Sequence, residues 1–305
     1  MGKITVPVIL GPTAVGKTEL ALELALRFDY EIISCDSRQI YRHMDIGTAK
    51  PSFAEREKIK HWLVNFINPD RSYSAHHFAR EAIKIIRNRN ACGKNVLICG
   101  GTGLYFYGLS EGLGVREESD HLLREKLQKR VHTEGAQSLH NELVRVDPQS
   151  ASKLHPNDLQ RVIRALEVFY KSGKPLSLLQ QEKCHPPSDI EFITYVVTSP
   201  RDALYKRINL RVDKMISSGL LEEYRLLRAM GYDEKSPGMQ CVGYREFFPL
   251  NKGGLSLSDA VEKIKKNTRN YAKRQLTWFK NKTEGVEVKS AHALGTLVRI
   301  FSELK

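Results

Sequence analysis

The stretch "VILGPTAVGKTEL", residues 8 to 20, limits what this chain can fold into more than any other. Its core, Gly11-Pro12-Thr13-Ala14-Val15-Gly16-Lys17-Thr18, has the G-x-x-x-x-G-K-[ST] spacing, with the apolar "VPVIL" before it and the helix-like "TELALELALRF" after it. In that setting the backbone N–H groups, the helix N-terminus and the Lys17 ammonium form an anion cradle, and Thr18 is placed to bind Mg2+. A strand, loop and helix of this kind belong to an α/β sheet that binds ligands at the carboxyl ends of its strands. The pattern leaves open whether the anion is a nucleotide such as ATP or another diphosphate.

Two further runs, "EIISCD" (31–36) and "NVLICGG" (95–101), are short, apolar and closed by Asp or Gly, and helix-like segments separate them. They predict parallel strands ending on the same sheet edge as residues 6–11. A fourth strand, "EFITYVVTS" (191–199), comes only after a long excursion that reads as helical. Within it, "DHLLREKLQKRVHTEG" ends at a glycine, and "NDLQRVIRALEVFYKSGKP" starts on a capping Asn or Asp and stops at Gly173 and Pro175. "HPPSD" (185–189) forbids helix across the return. The expected fold is α/β, a phosphate-loop parallel sheet flanked by helices: core over 1–110, a helical insertion over 111–188, and the core resuming over 189–305 with basic C-terminal helices.

Composition narrows the partners. At 305 residues, 41% apolar and 27% charged, the chain is an ordinary globular one, and no apolar run is long enough to span a bilayer. "MGKITVPVIL" enters the phosphate loop without an export leader, so a cytoplasmic location is expected; no membrane partner and a monomeric state are the further expectations. Cys35, Cys92, Cys99, Cys184 and Cys241 never form a Cys-x-x-Cys pair, which predicts buried reduced thiols rather than a zinc site or disulfides. The net charge of +13 favours a polyanionic partner. The excess is concentrated: "KIKKNTRNYAKRQLTWFKNK" (263–282) holds eight basic residues and no acid. As a helix it would align Lys265, Arg269 and Lys273 in one stripe, with Lys266 and Arg274 beside it and Tyr271, Trp278 and Phe279 interleaved, a nucleic-acid-binding pattern.

Other candidates stand at the strand ends. Asp36 in "CDSRQIYR" suits a magnesium ligand, a general base or a cap, and Ser37 and Gln39 offer groups for reading a base edge. In "GGTGLYF" (100–106) paired glycines allow close approach to a ligand and Thr102 supplies a hydroxyl. Arg207 and Arg211 share a helix face and suit a diphosphate clamp, or else pair with Asp213 and Glu222. Arg161 and Arg164 also share a face, compatible with a phosphate grip or with ion pairs to Glu167.

Together, "GPTAVGKT", "SCDSRQIYRHMDIGTAKP", "GGTGLYF", "HPNDLQRVIRALEV", "RVDKMISSGLLEE", "CVGYREF" and "TRNYAKRQLTWF" resemble, in order and nearly end to end, the bacterial tRNA dimethylallyltransferases, or isopentenyl-tRNA transferases. The resemblance implies transfer of a dimethylallyl group from dimethylallyl diphosphate to N6 of the adenosine 3′ of the anticodon in tRNA, position 37. The loop from Gly11 to Thr18, with Arg207 and Arg211, would then hold the diphosphate, and Mg2+ would sit at Thr18. Asp36 would be the base, Thr102 would position the acceptor, and Lys17 and Arg211 would stabilise the leaving group. The anticodon stem-loop would contact Asp36, Ser37, Arg38, Gln39, Thr102, Arg124, Gln160, Arg161, Val162, Ile163 and Arg164. It would also contact Cys241, Val242, Gly243, Tyr244, Arg245, Glu246, Lys273, Arg274 and Gln275, and the insertion would close on the anticodon arm. With no Cys/His cluster near its C-terminus the chain matches the bacterial, single-core type, and Val15 and Gly103 read as positions open to variation.

Two other enzymes share the loop. A small-molecule kinase has no use for a basic aromatic C-terminal helix, and an adenylate isopentenyltransferase needs neither the insertion nor that tail. A non-catalytic RNA-binding protein would leave Asp36, at the same sheet edge as Lys17 and Thr18, unexplained.

Overall fold

The computed structural model describes residues 2–114, 120–182, 186–251, 254 and 256–303. From the N-terminus run β1 (Ile4–Leu10), α1 (Lys17–Phe28), β2 (Tyr30–Cys35), α2 (Phe53–Lys58), β3 (His61–Trp62), α3 (Ala75–Ala91), β4 (Asn95–Gly100) and α4 (Gly103–Ser110). Next come α5 (His121–Glu134), α6 (Ala136–Val146), α7 (Pro148–Ala151), α8 (Leu159–Ser172) and α9 (Leu176–Gln181). The chain finishes with β5 (Ile190–Thr198), α10 (Arg201–Ser217), α11 (Leu220–Ala229), α12 (Phe248–Asn251), α13 (Leu257–Lys282), β6 (Val286–Lys289) and α14 (Ala293–Glu303). Residues 1–110 and 187–305 form one unit, and residues 111–186 a second.

The first unit is built on a six-stranded sheet of order β3-β2-β4-β1-β5-β6 in which every pairing is parallel. The register decides the site. Leu10 lies opposite both Gly100 and Val196, and Gly100 lies opposite Cys35, so β1, β2 and β4 end at one level while β5 runs two residues further to Thr198. Two glycines permit that alignment. A Cβ on Gly100 would fall 2.0 Å from the Cys35 carbonyl oxygen, and one on Gly11 would fall 2.6 Å from that of Val197. The edge strands β3 and β6 escape a sequence reading because one has two residues and the other buries only Val288.

Helices α1 and α14 cover one face of the sheet through Leu20, Leu24, Phe28, Leu297 and Phe301. A fully buried side chain of this size contributes roughly 1.5–3 kcal/mol. A second apolar cluster joins Ile40 and Met44 to Tyr224, Tyr244, Phe247 and Ile264, so the irregular segment after β2 is packed rather than free. Its polar groups are held as firmly. The buried Lys50 Nζ donates to the Tyr41 carbonyl (2.6 Å), Asp45 Oδ1 (2.6 Å) and Asn65 Oδ1 (2.9 Å). From α11, the Glu223 carboxylate accepts the backbone N–H groups of Asp45 (2.9 Å), Ile46 (2.8 Å) and Gly47 (3.1 Å).

The second unit packs its own core from Leu127, Leu139, Leu143, Val162, Ala165 and Leu166. Gly173 ends α8 at φ 69°, a conformation that favours glycine. Asp158 stands at the N-cap of α8, but its side chain makes no capping bond and pairs instead with Arg161 at 3.4 Å. The expected side-chain cap is therefore absent there. Asp147 does cap: its carboxylate accepts from Ser150 N (3.0 Å), Ser150 Oγ (2.6 Å), Ser177 N (2.9 Å) and Ser177 Oγ (2.6 Å), tying α7 to α9. The thiols divide: Cys35 and Cys241 are buried and Cys99 is partly so, but Cys92 is exposed. Cys184, and His185 of the "HPPSD" return, lie outside the described residues.

Candidate active site

The common level of the strand ends gathers three loops: residues 11–16 after β1, 36–39 after β2 and 101–102 after β4. Gly16 adopts φ 99° where the first loop enters α1, a turn that L side chains resist. Lys17 Nζ donates to the Pro12 carbonyl at 2.6 Å. Burial pushes the lysine down to about 8, with Cys99 and Asp36 acting to raise it and Arg211 to lower it further. Arg211 of α10 is also held below its ordinary value by burial, partly offset by Asp36 and Glu19. Its guanidinium has no hydrogen bond or ion pair among the described residues. The side chain is only partly exposed, so an anion arriving beside it would meet a cation with no ion-pair partner among the described residues. Arg207, one turn away, is held at the same sheet edge: its Nη2 donates to Ser199 Oγ at 2.6 Å and Ser290 Oγ at 3.5 Å, and its buried Nε has no hydrogen bond among the described residues. Neither arginine pairs with Asp213 or Glu222, which take Lys265 and Arg225.

Asp36 is anchored by one oxygen. Its Oδ1 accepts from Arg38 N (2.8 Å) and Gln39 N (3.4 Å), leaving Oδ2 without a hydrogen bond among the described residues. Beside it, Thr102 Oγ1 accepts from Ser37 N (2.9 Å) and donates to Ser37 Oγ (3.3 Å), while Thr102 N donates to the Cys35 carbonyl (3.1 Å). Tyr271 of α13 closes the group. Burial raises its phenol, Asp36 raises it further, and a hydrogen bond with Thr102 works the other way. The nearby thiols stay protonated, Cys99 pushed up to about 12 and Cys241 to about 11 by burial. Neither competes with Asp36 as a base at neutral pH.

Several other candidate side chains are already engaged. Gln39 accepts from Ser34 Oγ (3.0 Å) and donates to the Ala49 carbonyl (3.0 Å), so its amide fixes the loop and is not free to read a base edge. Arg38 reaches the Pro237 carbonyl at 3.4 Å. Cys241, Gly243, Tyr244 and Glu246 are buried, with Val242 partly so and Arg245 exposed. Glu246 accepts from Gly243 N (2.8 Å), Asn267 Nδ2 (2.7 Å) and Arg245 Nε (3.0 Å). In the helical unit Val162 and Ile163 are core residues, whereas Gln160 and Arg161 are exposed. Arg124 and Arg164, 40 residues apart in sequence, converge on the buried Glu167 at 2.9 and 2.7 Å.

The basic segment divides by face. Lys273, Arg274 and Lys280 point outward. Lys265 is paired with Asp213 (2.8 Å) and Glu262 (3.0 Å), and Arg269 Nη1 donates to Asn209 Oδ1 (2.7 Å), so the expected stripe of three does not form. The aromatics face inward: Phe279 is buried, and Trp278 lies so close to Gly103 that a Cβ there would come within 2.1 Å of the indole. Val15 is 1% exposed. Packed neighbours at Val15 and Gly103 therefore limit which side chains either position can take. The inward trio Tyr271, Gln275 and Trp278 was visible only as a spacing of four and three in a run whose charges dominate it.

Mg2+ prefers oxygen ligands and completes its shell with water and substrate phosphates. The Thr18 hydroxyl, which makes no hydrogen bond among the described residues, fits that donor set. Among the described residues no group of three or more His, Cys, Asp or Glu could hold a metal by itself.

Known proteins point the same way. The family model described as IPP transferase matches residues 39–282, beginning beyond the phosphate loop. A tRNA dimethylallyltransferase of Acetivibrio thermocellus is 46% identical over 274 residues, 90% of this chain and 88% of that protein. One of Syntrophobacter fumaroxidans is 42% identical over 303 residues, 99% and 89% of the two. A crystal structure of the tRNA delta(2)-isopentenylpyrophosphate transferase of Staphylococcus epidermidis superposes with a TM-score of 0.70 at 39% identity, covering 99% of both chains. A eukaryotic dimethylallyltransferase acting on tRNA gives 0.78 at 29% identity, covering 97% of this chain and 77% of that one. With the family model spanning most of its length and relatives this similar from end to end, the chain belongs to the IPP transferase family.

Proposed function

We propose that this protein transfers the dimethylallyl group of dimethylallyl diphosphate to N6 of the adenosine 3′ of the anticodon in tRNA, releasing diphosphate. The observation that carries the reading is the shared level of the strand ends, which sets an anion cradle with an unpaired arginine beside a carboxylate with one free oxygen. The first suits a leaving diphosphate and the second a proton. In the reaction the bond from the allylic carbon to the bridging oxygen breaks and its electron pair leaves with the diphosphate. N6 bonds to that carbon and gives its proton to Asp36 Oδ2. The exocyclic amine is a weak nucleophile because its lone pair is delocalised into the ring, so proton removal as the bond forms lowers the barrier.

Lys17, Arg211 and the loop N–H groups oppose the charge that develops on the diphosphate. Mg2+, held by Thr18 together with the phosphate oxygens, would add Lewis-acid neutralisation of the leaving group. Thr102, fixed by Ser37, would position the acceptor base, which must leave the stacked anticodon loop to reach these groups. Lys273 and Arg274 on α13, and Arg161 in the helical unit, offer exposed cations for RNA phosphates. Among the described residues no helix is long and apolar enough to cross a membrane.

The test is intact-mass analysis of an unmodified tRNA with adenosine at that position, incubated with the protein, Mg2+ and dimethylallyl diphosphate without ATP. The expected product carries one additional five-carbon unit on that adenosine. Prenylation of free AMP with tRNA untouched would move the acceptor to a nucleotide, and neither product would overturn the reading.

A further inference from the structure

Gln275 is placed among the RNA-contacting residues by resemblance, yet its side chain faces the opposite way from its neighbours Lys273 and Arg274. It is 6% exposed. Its Oε1 accepts from Thr13 N of the phosphate loop at 2.9 Å, and its Nε2 donates to the Gly101 carbonyl after β4 at 2.7 Å. One amide from a helix distant in sequence thus joins two loops that make no other side-chain-mediated bond to each other among the described residues. Gly101 is shaped for it: a Cβ there would lie 2.5 Å from Gln275 Nε2 and 3.4 Å from the Gly11 carbonyl oxygen. The residue after Gly101 is Thr102, whose hydroxyl orders the loop that begins with Asp36.

Resting on the transfer reading above, we infer that Gln275 is a positioning residue: it fixes the separation between the loop that holds the donor's diphosphate and the loop that presents the acceptor, and it makes no contact with tRNA. In-line displacement requires N6 and the leaving oxygen on opposite sides of one carbon, and a misplacement of about 1 Å can cost on the order of 100-fold in rate. The strands set the level of the two loops but leave their tips free. A buried primary amide that satisfies one donor and one acceptor across that gap fixes the remaining freedom, and a side chain unable to do both would leave a buried polar group unpaired. Helix α13 then has two separable faces: an outer one carrying Lys273 and Arg274, and an inner one carrying Gln275.

The test compares Gln275→Met, which keeps the shape but loses both bonds, with Gly101→Ala, which displaces the amide, and with the double variant Lys273→Ala/Arg274→Ala. Ile264→Ala serves as a control, because Ile264 is buried beneath the same helix in the other apolar cluster, which includes no residue of either loop. Calorimetry with inorganic pyrophosphate and Mg2+ reads the donor loop without requiring turnover. Filter binding reads tRNA affinity, and steady-state transfer reads kcat and KM. Gln275→Met and Gly101→Ala should each weaken pyrophosphate binding by about 10-fold, on the order of one hydrogen bond to the anion lost through a displaced loop. Both should lower kcat with tRNA affinity unchanged, while the outer-face variant should do the reverse. Weakened tRNA binding with intact pyrophosphate binding would return Gln275 to the RNA surface and overturn the inference. So would losses matched by Ile264→Ala, which would show only general destabilisation. If the unaltered protein fails to prenylate tRNA, the transfer reading falls on its own and the pyrophosphate comparison still tests the link between the loops.

Discussion

Asp36 has two tasks at the scale of one residue. Its Oδ1 holds the turn at Arg38 and Gln39, and its Oδ2 is free for a proton. Asp36→Ala would remove both and should abolish transfer with tRNA binding largely kept. Asp36→Asn keeps an acceptor for the turn but removes the base, so it should cost turnover by about 10²–10⁴-fold, the range of general-base catalysis. Single-turnover transfer with parallel tRNA binding checks this, and unchanged turnover in the Asn variant would remove Asp36 as the base. Arg211 makes the opposite compromise. It has no hydrogen bond or ion pair among the described residues, so Arg211→Met should leave the melting temperature unchanged or raise it, because no such bond is lost. Transfer should fall by roughly 10²-fold through lost leaving-group stabilisation, and a combined calorimetric and kinetic measurement decides it.

At the scale of the element, α13 shows how a charge-rich run is sorted by packing. Lys265 and Arg269 are engaged by Asp213, Glu262 and Asn209, leaving Lys263, Lys266, Lys273, Arg274, Lys280 and Lys282 exposed for a polyanion. Lys273→Ala with Arg274→Ala should reduce the slope of log affinity for tRNA against log salt by about 1.4–1.8, two phosphate contacts at roughly 0.7–0.9 each. A titration of binding from low to moderate salt reads this directly, and an unaltered slope would exclude phosphate contacts at both positions. The helix's apolar side was harder to read. Tyr271, Gln275 and Trp278 repeat at helical spacing, but what they touch lies in loops about 170 to 260 residues earlier in the chain.

At the scale of the whole molecule the two units differ in how they hold together in acid. In the helical unit burial pushes Glu167 up, but hydrogen bonds from Arg164, Arg124 and Asp120 N outweigh it and leave the carboxyl below its ordinary value. Asp147 behaves alike: burial raises it and the bonds from Ser150 and Ser177 prevail. For a depressed carboxyl the stabilisation is present above the unfolded value, about 4 for these groups, and is lost as pH falls through the folded value. The first unit's depressed carboxyls, Glu55, Asp189 and Asp233, are at least partly exposed, whereas Glu167 and Asp147 are buried, so the helical unit should unfold first below about pH 4. Both tryptophans, Trp62 and Trp278, lie in the other unit, so acid titration should show helical circular dichroism falling before tryptophan fluorescence changes. Coincident transitions would contradict this order, and Glu167→Gln should shift only the first.

Much was legible in the residues alone because it rests on local physics. The phosphate loop, three strand ends closing on Gly or Asp, and helix stops at Gly135 and Gly173 each follow from backbone sterics within a few residues. The helical excursion follows from apolar spacing in the same way. What the tertiary structure decided is which polar and charged groups remain available. Gln39, Arg207, Lys265, Arg269 and Gln275 all carry side chains suited to an anion or a base, and all are engaged by partners distant in sequence or across a loop. Among the described residues, Arg211 and Asp36 Oδ2 are not. A side chain's chemistry is set by its type, but whether it is satisfied within the fold or left to face a substrate depends on strand register and helix packing, and those bring together residues that the linear order keeps far apart.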